Sequence, residues 1–141
     1  MFEGIRISPA NILVTGSSGT IGTRLCELLL ERGYAVSGAD IRPNPWSRKV
    51  NELTSIVDLC KPADLAKLPA DIDLVIHLAA NARVYELVVN PGLARDNVLM
   101  LFNILEFCRE HAIHRFLFSS SREVYGNADR PVHAETDAGT S

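Results

Sequence analysis

The sequence predicts an α/β fold, a doubly wound parallel sheet with strand order 3-2-1-4-5. Three observations carry this. Short apolar runs alternate with amphipathic stretches along the chain. A glycine-rich turn separates the first apolar run from the first helical pattern. A nearly continuous apolar run, Asp73-Leu74-Val75-Ile76-His77-Leu78, fits a central strand buried on both faces. Strands alternating with helices imply right-handed crossovers, which leave few possible orders.

Residues 1–10 read as a short leader, with Pro9 at the entrance to the first strand, about 11–15. The first helix covers about 20–32, with Ile21, Leu25, Leu28 and Leu29 on one face and Gly33 as its stop. A second strand runs over about 34–40. The segment Arg42-Pro43-Asn44-Pro45-Trp46 reads as a loop. A weak strand, Thr54-Ser55-Ile56-Val57, ends at Asp58, and a short helix is expected over 62–68. The run 73–78 is the fourth strand. After Pro91 the longest helical pattern continues to about Ala112, with Leu93, Val98, Leu101, Phe102, Leu105 and Cys108 as its apolar positions. The fifth strand is Arg115-Phe116-Leu117-Phe118, running into Ser119-Ser120-Ser121, and the alternation stops there. Residues 1–126 therefore form one domain, and 127–141 an irregular polar tail.

With 141 residues the chain is long enough to bury a real core. A hydrophobic fraction of 47% and a charged fraction of 22% are those of an ordinary soluble globular protein. A net charge of −3 gives no basic surface for nucleic acid. No apolar stretch approaches a membrane span, and the N-terminus shows no export signal, so a cytoplasmic protein is expected. Cys26, Cys60 and Cys108 are scattered and read as buried, reduced thiols. No cysteine or histidine spacing suits a metal site, so none is expected.

The chemistry is concentrated in Thr15-Gly16-Ser17-Ser18-Gly19-Thr20-Ile21-Gly22. A strand, a glycine turn and a helix in that order make a phosphate-binding device. The glycines let backbone approach a pyrophosphate, and the helix N-terminus supplies free N–H groups with partial positive charge. Asp40 ends the second strand, where a carboxylate can accept from ribose hydroxyls. A dinucleotide ligand would lie at the carboxyl ends of strands one and four, where the strand order reverses. The glycines, Asp40, Asp58, Ala79-Ala80 and the serine run all fall at strand carboxyl ends. The bland alternative is a strand-to-helix turn using glycine only for packing.

Taken together, Thr15-Gly16-x-x-Gly19-x-x-Gly22, Asp40, Asp58-Leu59, His77-Leu78-Ala79-Ala80, Asn97-Val98 and Ser119-Ser120-Ser121-x-x-Val124-Tyr125-Gly126 carry a family resemblance. The chain resembles the N-terminal half of an extended short-chain dehydrogenase/reductase with a Rossmann-like domain. The group is that of the NAD-dependent epimerases and dehydratases, which act on nucleotide sugars. The resemblance implies NAD as cofactor, a nucleotide-sugar substrate and an activity like that of UDP-glucose 4-epimerase. It implies that Gly16, Gly19 and Gly22 shape the pyrophosphate site, with the backbone of Thr20 and Ile21 at the phosphates. Asp40 would bind the adenosine ribose and favour NAD over NADP, while Arg42 would soften that preference. Asp58 would bond the adenine amino group, with Leu59 packed on the ring. Leu78, Ala79 and Ala80 would line the cofactor path, Asn97 would stand near the nicotinamide half, and Ser119 would join the cofactor site. Ser121 would bond the sugar oxygen being oxidised. As residue types alone, Asp58 also fits a turn cap and Asn97 a polar helix surface.

Departures from the family pattern accompany the resemblance. The family's base is a tyrosine in a Tyr-x-x-x-Lys helix beyond the serine. Here Tyr34, Tyr85 and Tyr125 are followed four residues later by Gly38, Val89 and Asp129. Met100 and Leu101 stand where the family has small residues, which puts close helix packing there in doubt. The expected function is the NAD-binding part of such an enzyme, cut short and inactive alone. A non-catalytic NAD-binding module is the alternative, and a ligand-free domain of the same fold a third. Self-association is expected through Phe102, Leu105, Phe107 or the edge of the fifth strand, giving a homo-oligomer.

Overall fold

The computed structural model describes residues 11–121. The expected leader, the Val124-Tyr125-Gly126 motif and the tail 127–141 lie outside the described residues. The strands are β1 (Asn11–Thr15), β2 (Ala35–Asp40), β3 (Thr54–Ile56), β4 (Leu74–His77) and β5 (Phe116–Phe118). The α-helices are α1 (Thr20–Glu31), α2 (Arg48–Leu53), α3 (Val84–Val89) and α4 (Pro91–Glu110). The sheet order is β3-β2-β1-β4-β5 and every pairing is parallel, as expected. In register, Ile12 stands beside Val36 and Leu74, and Val14 beside Gly38 and Ile76.

Strand alternation sorts the core into two clusters. Leu13, Ala39 and Val75 join Val57, Leu59, Leu65, Leu68 and Ile72, together with Ile104, Phe107 and Cys108 of α4. Ile12, Val14, Val36 and Ile76 join Cys26 of α1 and Val50 of α2. Successive residues of a strand point to opposite faces, so both faces of the sheet are covered. Burial pushes the Cys26 thiol up to about 11, as befits an inert core cysteine. Cys108 is also buried, whereas Cys60 is only half-buried; all three are free thiols.

The helix ends follow local chemistry. Gly33 closes α1 with φ +82°, a left-handed conformation in which the Gly33 and Tyr34 amides donate to the Leu30 and Leu29 carbonyls. Ser47 caps α2 by accepting from the Val50 amide, and Asn90 caps α4 by accepting from the Gly92 amide. Ion pairs such as Arg48–Glu52 at 2.9 Å sit on exposed helix surface, where such pairs contribute little.

Several expectations need correction. The helix expected over 62–68 is a 3₁₀ segment, Pro62–Lys67, opened by its proline. Two short helices have no counterpart among the expected elements. The first, α2, buries only Val50, and the second, α3, buries no side chain, so neither shows a helical stripe. In α1, Ile21 is 75% exposed, and the buried residues are Gly22, Thr23 and Cys26. In α4 the buried face is Asn103, Ile104, Phe107 and Cys108, while Val98, Phe102 and Leu105 are exposed. The buried face is hard to see because it carries a polar residue. Asn103 is accommodated there by donating from Nδ2 to the Leu59 carbonyl at 2.7 Å. Met100 and Leu101 pack against the adjoining cluster, so they add to this interface.

Truncation separates the two faces of α4. Ile104→Ala should cost about 2–5 kcal/mol, because Ile104 is fully buried. Phe102→Ala should change stability by no more than about 0.5 kcal/mol in dilute solution, as for other exposed sites. Urea unfolding of both variants checks this, and equal losses would return Phe102 to the core.

Candidate dinucleotide site

The turn after β1 is shaped by close backbone approach. Gly16 adopts φ +74°, and its amide donates to the Ala39 carbonyl at 2.8 Å. A Cβ on Gly16 would lie 2.8 Å from the Ala79 nitrogen and 2.9 Å from the Leu78 carbonyl carbon. A Cβ on Gly22 would collide with the Gly16 carbonyl oxygen. These two glycines let β1, the start of α1 and the end of β4 meet. Gly19 differs. Its φ is −77°, and an added Cβ would meet only the Gly16 oxygen, at 3.3 Å. The interior therefore makes far weaker demands at Gly19 than at its two neighbours.

Gly19 is the N-cap of α1, and no side chain caps that end. The first turn of α1 contains no acidic residue. Amides at the start of a helix have no carbonyl partner within it. Thr20, Ile21 and Gly22 thus present N–H groups beside a cap residue with no side chain, and partial positive charge collects there. This arrangement fits a pyrophosphate.

Asp40 is fixed next to the turn. Its Oδ2 accepts from the Ser18 amide and its Oδ1 from the Arg42 amide, both at 3.0 Å. Each oxygen keeps capacity for a second hydrogen bond. The Arg42 carbonyl in turn accepts from Ser18 Oγ at 2.8 Å, so backbone on both sides of Asp40 is tied to the turn. Asp58 caps its own turn: Oδ1 accepts from the Cys60 amide at 3.0 Å, and Lys61 Nζ lies 3.1 Å from Oδ2. This is the turn-cap role that its residue type allowed.

Thr15 joins β1 to the loop after β4. Its Oγ accepts from the Leu78 and Ala79 amides, both at 3.2 Å, and lies 2.7 Å from His77 Nδ1. The Leu78 amide is shared with the Thr15 carbonyl, also at 3.2 Å, and the hydroxyl pairs with the imidazole of His77. Its ring lies about 6 Å from those of Phe116 and Phe118, centroid to centroid, and only 2% of its surface is exposed. Burial lowers its pKa from 6.5 to about 4. Thr15 and His77 lie outside the site residues expected from the sequence. Their signal was a polar pair in register at the ends of two adjacent apolar strands.

A sequence profile describing an NAD dependent epimerase/dehydratase family matches residues 12–141. The chain belongs to the NAD-dependent epimerase/dehydratase family. The uncharacterized UDP-glucose epimerase YtcB of Bacillus subtilis is 39% identical over 89% of this chain and 44% of its own length. A UDP-glucose 4-epimerase of Schizosaccharomyces pombe is 33% identical over 89% of this chain and 39% of its own length. Among solved structures, the Thermus thermophilus UDP-glucose 4-epimerase in complex with NAD superposes with a TM-score of 0.80. It is 29% identical, and the match covers 91% of this chain and 43% of that one. The chain thus spans less than half the length of the curated relatives it matches.

Within this family domain, the site residues read from the sequence fall at the carboxyl ends of the parallel strands. The glycine turn, Asp40, Leu78 and Ala79 form one bonded unit, and Ala80 is exposed beside it. Asn97 faces the loop after β4: its Oδ1 accepts from the Asn81 amide at 2.7 Å and its Nδ2 donates to the Asn81 carbonyl at 3.1 Å. Its role is thus to hold that loop, rather than to decorate a helix surface. Ser119 donates its amide to the His77 carbonyl, and both Ser119 and Ser121 are exposed after β5. Leu59 departs from expectation. Its side chain is 4% exposed and belongs to the core, so it offers no face to an adenine ring. Among the described residues no group of three His, Cys, Asp or Glu side chains could hold a metal ion, and no helix is long and apolar enough to cross a membrane.

Because the folded pKa of His77 lies below its unfolded value of 6.5, the native state binds fewer protons between pH 6.5 and 4. Its stabilising contribution is complete above pH 6.5 and is lost as pH falls toward 4. The full loss is about 3 kcal/mol by linkage. Urea unfolding across this range should show that slope in the wild type, with a weaker one in His77→Gln. An imidazole titrating near 6.5 in the NMR spectrum of the folded protein would show that the ring is not buried neutral.

Proposed function

We propose that this chain is the NAD-binding portion of a nucleotide-sugar epimerase or dehydratase resembling UDP-glucose 4-epimerase. The observation that carries the reading is the uncapped N-terminus of α1 behind Gly19, next to a carboxylate pinned at Asp40. The Thr20, Ile21 and Gly22 amides would receive the pyrophosphate. Asp40 would accept from the adenosine ribose hydroxyls, and its charge would repel a 2′-phosphate. Leu78 to Ala80 would border the cofactor as backbone and small side chains. Ser121 would donate to the sugar oxygen and orient the carbon that is oxidised. NAD supplies the hydride acceptor for that carbon. The hydroxyl proton requires a separate base, for which the family uses Tyr-x-x-x-Lys. No tyrosine of these 141 residues has a lysine four positions on.

The assembly reading rests on the outer face of α4 and on β5. Val98, Phe102, Leu105, Leu117 and Phe118 are all exposed, whereas Phe107, expected with them, is buried at 4%. Apolar surface of this kind recruits a partner, and a homo-oligomer uses it.

Three measurements test these readings. Calorimetric titration should show tighter binding of NAD than of NADP, and Asp40→Ala should weaken NAD by about 1.5–3 kcal/mol. Equal or tighter binding of NADP would mean that Arg42, not Asp40, governs the choice. The same chain should not interconvert UDP-glucose and UDP-galactose or dehydrate a UDP-sugar, as read by chromatography of the nucleotide sugars, and sustained turnover would overturn the expectation that these residues are inactive alone. Sedimentation velocity should show a dimer or larger species that Phe102→Asp dissociates. A concentration-independent monomer would remove the oligomer reading.

A further inference from the structure

The loop after β2 contains a buried asparagine, Asn44, beside the glycine turn. Asn44 lies between Pro43 and Pro45 and is 8% exposed. Its Nδ2 donates to the Ser17 carbonyl at 3.0 Å and to Thr23 Oγ at 2.8 Å. Its Oδ1 accepts from the Trp46 amide at 2.8 Å and the Ser47 amide at 2.9 Å. Its backbone amide donates to Asn51 Oδ1 at 2.8 Å. Both donors and both acceptor positions of the side-chain amide are filled, which fixes its rotamer. The atoms it holds belong to the glycine turn on one side and to its own loop on the other.

Thr23 extends this contact. Its hydroxyl accepts from Asn44, so its own proton is available for the Gly19 carbonyl at 2.8 Å, the nearer of two acceptors. Between them, Asn44 and Thr23 hold the carbonyls of Ser17 and Gly19. In a trans peptide the C=O and N–H bonds point in opposite directions. Holding the Gly19 carbonyl toward Thr23 therefore turns the Thr20 N–H away from the helix, toward the pyrophosphate position. Holding the Ser17 carbonyl toward Asn44 turns the Ser18 N–H the other way, where it meets Asp40 Oδ2. The Gly19 carbonyl also accepts the Thr23 amide of α1 at 2.8 Å, so Asn44 reinforces the direction of an amide at the phosphate end through the Thr23 hydroxyl, and acts directly on the peptide whose amide pins the ribose carboxylate.

We infer that Asn44 is a positioning residue for cofactor binding, acting through Thr23 and the Ser17 and Gly19 peptide planes without touching the ligand. The inference rests on the proposed dinucleotide site. Four variants of the protein, Asn44→Ala, Thr23→Val, Thr23→Ser and the double variant Asn44→Ala/Thr23→Val, are titrated with NAD by calorimetry. The temperature is kept well below each melting point, with circular dichroism confirming the fold. Asn44→Ala and Thr23→Val should each weaken NAD by about tenfold or more, the scale of one or two lost hydrogen bonds. Thr23→Ser, which keeps the hydroxyl, should bind as the wild type does. The double variant should be little weaker than the worse single variant, because both act on the same peptide planes. A folded Asn44→Ala protein binding NAD within about twofold of the wild type, a difference under one hydrogen bond, overturns the inference and leaves the site reading standing. If Asn44→Ala does not fold, Thr23→Val decides by the same criterion. A wild-type protein that binds no NAD overturns the site reading and takes this inference with it.

Discussion

The structure depends on one steric constraint, the meeting of three backbone segments at the end of β1. Gly16 lies against the peptide joining Leu78 to Ala79, and Gly22 lies against the Gly16 carbonyl. A methyl group at either position would separate α1 from the sheet or β1 from the loop after β4. The Thr15 hydroxyl lies at the same junction and accepts from the Ala79 amide, while the Leu78 amide is shared between that hydroxyl and the Thr15 carbonyl. Position and chemistry have a single origin here. The contact that seats α1 on the sheet also leaves its first amides uncapped and facing outward.

The sheet was legible because central parallel strands announce themselves. Leu74-Val75-Ile76 and Ile12-Leu13-Val14 are apolar throughout, since each face of the sheet is covered. The turn was legible because three glycines in fixed spacing follow one of those strands. Asp40 was legible from its place alone, as the acid ending the neighbouring strand. These are features in which residue type follows directly from a backbone requirement.

The misses share a different cause. In α4 a buried asparagine interrupts the apolar stripe while exposed Phe102 and Leu105 imitate one, so hydrophobicity along the helix points to the wrong face. Short helices such as α2 and α3 bury one side chain or none, too few to set a period. Leu59 reads as a cofactor contact from its neighbour Asp58, but it sits in the turn that Asp58 caps, and its side chain packs in the core. Asn44 reads as part of a loop because two prolines flank it. Its hydrogen bonds to Ser17 and Thr23 join segments more than 20 residues apart, and no local pattern encodes such a partnership.

The two core clusters lie on opposite faces of the sheet and share no residue. The helix that opens the candidate phosphate site, α1, belongs to one of them, and α4 to the other. A substitution beneath α1 and one beneath α4 therefore communicate only through the strands' own backbone, and distant changes of this kind combine almost independently. In evolutionary terms the sheet acts as a firewall. Substitutions that accumulate under α4 leave the packing beneath α1 nearly as it was, with little epistasis between the two faces.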